Sequence, residues 1–124
     1  MSNLISFDQL KFFCENAEFL EVMTKRVPTL DEMIEWLREK FLIVIYNHME
    51  PFVSPTKGKI IYCYRVKQCN LRDGWNGRNY LGQTEYSEDI CEVKKQAIEI
   101  AINYLKNEAE ENLRSEKVPT QDHS

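Results

Sequence analysis

The residues best suited to bind an anionic or aromatic partner are concentrated in one short part of the chain. Positions 72–78 read RDGWNGR and place Trp75 between two arginines. Arginine can fork onto a phosphate group, and an indole ring stacks on any nucleobase. Tryptophan, tyrosine and arginine also dominate the hot spots of protein interfaces. We therefore predict a binding surface made of Arg65, Lys67, Arg72, Trp75, Asn76 and Arg78.

The charge of the chain is distributed unevenly around this stretch. The formal net charge is −4, which argues against a general nucleic-acid binder. Residues 57–80 nevertheless hold six basic residues and one acidic residue, while both flanking segments are net acidic. The alternative is structural: Trp75 folds back over the strands and covers Tyr64 or Tyr80, and the arginines keep the hairpin soluble.

Catalytic and metal-binding chemistry has little raw material here. The only histidines are His48 and His123, so neither a histidine-rich metal site nor a Ser-His-Asp arrangement is expected. The four cysteines show no C-x-x-C spacing and are predicted to be free thiols. Acidic pairs such as Glu32 with Glu35 are interpreted as a solvated helix face. We therefore predict a non-enzymatic protein without a cofactor or a metal ion.

Two capping boxes predict the helices that begin the fold. Ser6 with Gln9 starts a first helix, whose apolar stripe runs on to Leu20 and which ends before Pro28. Thr29 with Glu32 starts a second helix. Trp36 falls outside the apolar arc of that helix, where it covers a neighbouring element or lies at an interface.

Strands are predicted for the middle of the chain. Residues 42–46 are rich in β-branched side chains, and the proline-containing segment 47–57 is predicted to be a loop. Residues 60–67 alternate, so that Ile60, Tyr62, Tyr64 and Val66 share a core face while Arg65 and Lys67 share the other. Asp73-Gly74 and Asn76-Gly77 favour tight reversals, after which 78–86 should return antiparallel.

A long last helix completes the predicted fold. Ser87, Glu88 and Asp89 cap it, and Val93, Ala97 and Ala101 belong to its buried stripe. From about Asn107 the chain is polar and is predicted to fray. The expected class is α+β, in the order α-α-β-β-β-α, with one domain at 1–111 and a disordered tail at 112–124.

Two segments resemble small uncharacterised proteins of phages, prophages and mobile elements. Residues 28–40 read PTLDEMIEWLREK, and residues 95–102 read KQAIEIAI. Those proteins often read T-L-x-x-x-x-x-W-L-R-E, then a short sheet, then E-A-x-x-A-A-I in the last helix. The likeness covers roughly residues 28–106. It implies the cytoplasm of a bacterial host cell as the setting and assigns no activity.

The layout of a helix, three strands and a helix is also similar to the double-stranded-RNA-binding domain. In that family a lysine cluster at the start of the last helix grips phosphates. The corresponding residues here would be Lys94 and Lys95. The acidic residues Glu88 and Asp89 at the start of this helix depart from the pattern.

Three functions follow as hypotheses. The first is a binding protein that modulates or inhibits a host or phage protein through its aromatic and basic hairpin. The alternative is a nucleic-acid or nucleotide binder that uses the same hairpin and Trp75. The third is a homodimer that pairs the uncovered sheet faces. No apolar run approaches the roughly 20 residues of a membrane span, so no membrane partner is expected.

Overall fold

Helices cover one face of a three-stranded antiparallel sheet in the computed structural model. It describes residues 4–25, 27–48, 52–53, 58–70 and 74–117, with the backbone alone at 25, 52–53, 70, 74–79, 112 and 114–117. The α+β class is as predicted. In chain order the elements are α1 (Phe7–Asn16), α2 (Phe19–Lys25), α3 (Leu30–Phe41), β1 (Ile43–Asn47), β2 (Phe52–Val53), β3 (Ile60–Ile61), β4 (Tyr64–Asn70), β5 (Gly74–Gln83) and α4 (Ile90–Lys117).

Side-chain caps start the helices where the sequence predicts them. Ser6 Oγ accepts from the backbone of Gln9 at 3.2 Å, and Gln9 Oε1 accepts from the backbone of Ser6 at 3.1 Å. Thr29 and Glu32 form the same reciprocal pair at the start of α3. Asp89 Oδ1 accepts from two backbone N–H groups at the start of α4. Each cap satisfies donors that the first helical turn leaves without a partner.

The prediction of one helix between Ser6 and Pro28 is wrong, because the chain breaks at Ala17. That residue has φ −82° and ψ 156° and ends α1. Asn16 Nδ2 donates to the carbonyl of Phe12 at 2.9 Å, and α2 starts with the backbone of Glu18 bound to Glu21 Oε1. A short polar side chain such as that of Asn16 can compete in this way with continued helix formation. Because of this break Leu20, which was predicted to be buried, is exposed to solvent.

Trp36 lies at the centre of an aromatic cluster between α1 and α3. It is 2% exposed, and its ring centroid lies 5.0 Å from Phe13, 5.5 Å from Phe41 and 6.2 Å from Phe12. All three contacts are edge-to-face, an arrangement that aromatic quadrupoles favour. Of the two roles predicted for this residue, covering a neighbouring element is the one the fold shows.

Helix α4 fills the space between the sheet and the other helices. Val93, Ala97 and Ala101 are buried as predicted. Ile98 and Ile102 are also buried, because α4 packs against both the sheet and α3. The helix continues through the polar segment predicted to fray and reaches Lys117. The remaining part of the predicted tail, 118–124, lies outside the described residues.

The main sheet has the order β1-β4-β5, and both pairs are antiparallel. The predicted strand at 60–67 is divided into two parts. Its first part, Ile60–Ile61, pairs with Phe52–Val53 in a second sheet, and Phe52–Val53 lies in the segment that was predicted to be a loop. Strand β4 begins at Tyr64. Ile60 is therefore half exposed, whereas Tyr64 and Val66 lie in the core. Strand β5 spans Gly74–Gln83, not 78–86, so Asn76 and Gly77 lie within a strand and not in a turn.

Gly82 allows β5 to approach α4 closely. A Cβ atom at this position would lie 3.1 Å from Ile100 Cγ2 and 3.4 Å from Ile100 Cδ1. We expect Gly82→Val to lower the free energy of unfolding by about 1–3 kcal/mol, because the branched side chain displaces Ile100. Urea unfolding measures the change. Combining it with Ile100→Ala should cost less than the sum of the two single changes, and simple additivity would contradict the close approach.

Candidate functional site

The face of the sheet away from α3 and α4 carries an alternating set of aromatic and basic side chains. Buried side chains of β1 and β4 point to the helices, among them Ile43, Ile45, Tyr64 and Val66. The residues between them belong to the opposite side, where Tyr80 is 56% exposed. We call this side the outer sheet face and define it by Val44, Tyr46, Arg65, Lys67, Tyr80 and Gln83.

Strand register brings two cations and two tyrosines together on the outer sheet face. Arg65 lies opposite Tyr46 on β1, and Lys67 lies opposite Tyr80 on β5. Each cation then stacks on the diagonal ring: Arg65 Cζ lies 5.6 Å from the Tyr80 centroid, and Lys67 Nζ lies 5.6 Å from that of Tyr46. Such pairs contribute about 0.5–1 kcal/mol at exposed sites. Arg65 Nε also donates to Gln83 Oε1 at 3.0 Å, which fixes its direction.

The charges of Arg65 and Lys67 are not neutralised by carboxylates of the described residues. The ion pairs found there join other residues: Lys94 with Asp31, Lys59 with Glu88, and Arg38 with Glu35. An anion approaching the outer sheet face would therefore meet two cations whose direction is already set. Preorganised donors bind an anion with a smaller loss of side-chain entropy.

The structure brings together part of the predicted binding surface. Arg65 and Lys67 share one face, as predicted. Arg72 lies outside the described residues. Trp75, Asn76 and Arg78 have backbone positions in β5. Arg78 was predicted to lie in a strand, whereas Trp75 and Asn76 were predicted to lie in the turn region before it. The side chains of all three lie outside the described part.

Sequence reasoning missed Tyr46 and Tyr80 as members of this surface. Tyr46 ends a strand that the sequence predicts, and Tyr80 was considered only as a residue that Trp75 would cover. Alternation along each strand could have assigned a face to Tyr46. Its position beside Arg65 depends on the register between β1 and β4. That register could not be predicted from the sequence, because the connection between the two strands is long.

The cysteines and His48, which could in principle do chemistry, are not among the residues that define the outer sheet face. Cys63 is buried and its Sγ donates to the carbonyl of Thr84 at 3.4 Å. Cys14 is an exposed free thiol, and the other two cysteines are partly exposed free thiols. The backbone N–H of His48 donates to the carbonyl of Cys63 at 2.9 Å. Over the described ranges no group of three histidine, cysteine or carboxylate side chains has the geometry of a metal site.

Lys94 ties α4 to the start of α3 and is not directed at a ligand. Its Nζ lies 2.7 Å from Asp31 Oδ1, and its side chain is 16% exposed. Burial alone would lower the pKa of Lys94, but the hydrogen bond and the charge of Asp31 together outweigh it, so that the pKa is raised. The likeness to the double-stranded-RNA-binding domain implied that Lys94 contacts a phosphate. In this protein Lys94 instead forms an ion pair with Asp31.

Tyr104 joins α4 to β4. Its hydroxyl lies 2.5 Å from Gln68 Oε1 and 2.5 Å from Glu108 Oε2. Burial, followed by the hydrogen bond and charge of Glu108, raises the pKa of Tyr104 from 10.0 to about 12.

We expect this shift to make stability fall as the pH rises from 10.0 to about 12. In that window the unfolded chain releases the tyrosine proton while the folded protein still holds it, so unfolding becomes more favourable as the pH rises. Below pH 10 the tyrosine is protonated in both states, and its contribution to the stability is fully present. Tyr104→Phe removes this part of the pH dependence. Urea unfolding of both proteins across the window measures it, and parallel stability curves would contradict the shift.

No protein-family model, curated protein or solved structure matches this chain. The resemblance to small phage and mobile-element proteins therefore stays a prediction. Among the helices described, none is both long enough and apolar enough to cross a bilayer.

Proposed function

We propose that this is a non-enzymatic binding protein and that its outer sheet face binds single-stranded nucleic acid. The observation that carries the proposal is the alternation of two tyrosine rings with two cations that no described carboxylate neutralises. Aromatic rings accept stacked bases of any identity, and lysine and arginine neutralise the backbone between them. Sequence-tolerant binding with a strong salt dependence is the expected behaviour.

The shape of the surface favours single strands over duplexes. Tyr46 and Tyr80 lie on β1 and β5 with β4 between them, so their strands are about 10 Å apart, two strand spacings, and the two residues are offset by two positions along β4. Bases stack on such a platform only when they are splayed away from a paired strand. A duplex would offer phosphates to the two cations and nothing to the rings.

The net charge of −4 is compatible with this function because the charges are separated in space. The two basic residues of β4 lie on the outer sheet face, whereas α3 and α4 on the other side hold ten acidic and seven basic residues, a combined formal charge of −3. The helices repel a polyanion and the sheet attracts it. This asymmetry orients the encounter without requiring a positive total charge.

Fluorescence anisotropy with labelled oligothymidylate of about 12 nucleotides tests the proposal. We expect binding that weakens steadily between about 50 and 200 mM salt, and weaker binding of a duplex of the same length. An acidic peptide of matched charge that lacks aromatic side chains serves as the second probe. Equal affinity for that peptide would favour the protein partner, and absence of oligonucleotide binding at every salt concentration would exclude the function.

A homodimer that pairs two outer sheet faces competes for the same surface. It would bring Arg65 and Lys67 of one copy against the same cations of the other, a juxtaposition that costs free energy. We therefore propose that the protein does not dimerise through the outer sheet face. Sedimentation velocity over a wide concentration range checks it, and a dimer that dissociates when Tyr80 is replaced by serine would contradict it.

A further inference from the structure

The hydrogen-bonding groups of the outer sheet face are mostly donors. Arg65, Lys67 and the amide nitrogen of Gln83 carry N–H groups, and neither a guanidinium nor an ammonium group accepts a hydrogen bond. The hydroxyls of Tyr46 and Tyr80 donate or accept equally well. A base placed on this face therefore meets donors in excess, which favours base edges that offer acceptors.

One hydrogen bond sets the direction of the Arg65 guanidinium. Arg65 Nε donates to Gln83 Oε1 at 3.0 Å. This bond leaves Nη1 and Nη2, which form no hydrogen bond with another residue that the structure describes. Their N–H groups lie side by side in the plane of the guanidinium, and we call these two nitrogens the Arg65 fork. The Arg65 fork can bind two neighbouring acceptors at once.

The same hydrogen bond turns the Gln83 amide away from adenine recognition. A glutamine that reads adenine aims its oxygen at the N6 amino group and its nitrogen at N7. The oxygen of Gln83 is aimed at Arg65 instead, so that pair of contacts is not preformed. Guanine is the purine that presents two adjacent acceptors, O6 and N7, and arginine binds both together.

Tyr80 supplies an aromatic surface beside the Arg65 fork. Its ring centroid lies 5.6 Å from Arg65 Cζ, and the residue is 56% exposed. Cytosine also has two adjacent acceptors, O2 and N3, but its single ring offers less area for stacking than a purine. Stacking strength is a main source of base preference on such platforms, so guanine is favoured over cytosine.

We infer that the outer sheet face prefers guanine at one position of a bound single strand, with the Arg65 fork on O6 and N7 and the Tyr80 ring stacked against the base. Gln83 is a positioning residue, because it directs the fork and need not touch the base. The preference rests on the proposed function, since the same face must bind the strand. It adds the choice of one base to binding that is otherwise tolerant of sequence.

Fluorescence anisotropy with short labelled strands of about six nucleotides tests the preference. Thymine alternates in each strand with one tested base: guanine, adenine, cytosine, hypoxanthine or 7-deazaguanine. Guanines that are not adjacent avoid quadruplex formation. We expect the guanine strand to bind at least about threefold more tightly than the adenine strand. A two-bond contact discriminates bases by about fivefold or more, and half of the binding registers place the tested base at the fork.

Two base analogues identify the edge that is read. Hypoxanthine keeps O6 and N7 and lacks the amino group of guanine, so its strand should match the guanine strand within about 1.5-fold. 7-Deazaguanine carries a carbon atom in place of N7 and keeps the pairing edge of guanine. Its strand should bind like the adenine strand, because the fork has lost one of its two acceptors.

Matched protein variants locate the preference. Arg65→Lys keeps the positive charge and removes the fork, so the guanine and adenine strands should come within about 1.5-fold of each other. Gln83→Met removes the acceptor that directs the fork, and it should lower the preference by about twofold while an all-thymine strand binds as before. Arg38→Lys makes the arginine-to-lysine change at an exposed position of α3 and should leave the preference intact. Circular dichroism melting verifies that every variant is folded.

The possible failures are distinguishable. If all strands bind equally and with the expected salt dependence, the guanine preference is wrong and the proposed function stands. A cytosine strand that binds as tightly as the guanine strand, or a 7-deazaguanine strand that loses nothing, also overturns the preference. Full preference in Gln83→Met would show that Gln83 does not position the fork. If no strand binds at any salt concentration, the proposed function fails and the preference fails with it.

Discussion

Replacing Arg65 and Lys67 together by alanine is expected to weaken oligothymidylate binding by at least about tenfold at low salt. Both cations lie on one face with their directions set by ring contacts, and no described carboxylate competes for them. Each phosphate contact that is lost should also flatten the dependence of log affinity on log salt by about 0.7, or about 1.4 for the pair. Anisotropy titrations at several salt concentrations measure both quantities.

A matched control separates this effect from general electrostatics. Arg38→Ala/Lys106→Ala removes the same two charges from exposed positions of α3 and α4. We expect that control to keep most of the affinity and the steep salt slope. If it behaves like the Arg65→Ala/Lys67→Ala variant, the outer sheet face is not the binding surface.

The tyrosines give an independent measure of the same surface. Tyr80→Ala should cost about 1–3 kcal/mol of oligonucleotide binding through lost base stacking. Because no charge is removed, the salt slope should stay the same. A loss of affinity together with a changed slope would mean that Tyr80 acts mainly by holding Arg65 in place.

Local signals explain which parts of the fold could be predicted. The caps at Ser6, Thr29 and Asp89 each depend on hydrogen bonds that span three residues or fewer, so the sequence displays both partners together. The antiparallel pairing of two strands in this region was predicted correctly, although Asn76 and Gly77, assigned to a turn, lie within β5. Burial of Tyr64 and Val66 followed from the alternation of side chains along the strand.

Contacts between distant residues explain what the sequence concealed. The burial of Trp36 requires Phe12 and Phe13 from a different helix, and helical periodicity within α3 carries no information about them. The pairing of Arg65 with Tyr46 depends on strand register across a connection that itself contains a second small sheet. For the candidate site, sequence alone thus identified the cations and not the rings beside them.

The break at Ala17 shows how a local competition can change a surface. Apolar spacing alone favoured a continuous helix, while the Asn16 side chain and the Glu18 to Glu21 cap favoured two. Once the helix divides, α2 turns by its own geometry and exposes Phe19, Leu20 and Met23. The exposure of these three residues therefore follows from hydrogen bonds of the Asn16 and Glu21 side chains and not from unusual hydrophobicity.

Replacing Trp36 by alanine is expected to lower the free energy of unfolding by about 3–5 kcal/mol. The ring is 2% exposed and contacts Phe12, Phe13 and Phe41 edge-on, so its removal leaves a cavity shared by α1 and α3. Domains of this size have only about 5–15 kcal/mol of stability in total. Urea unfolding followed by circular dichroism measures the loss.

Two further variants make the Trp36 prediction discriminating. Phe7→Ala removes an aromatic ring that is 80% exposed and should change stability by less than about 0.5 kcal/mol. Trp36→Phe keeps most of the ring volume and removes the buried Nε1–H that has no described partner, so it should cost less than about 1.5 kcal/mol. If Trp36→Phe were as damaging as Trp36→Ala, the indole N–H would be making a bond essential to the fold.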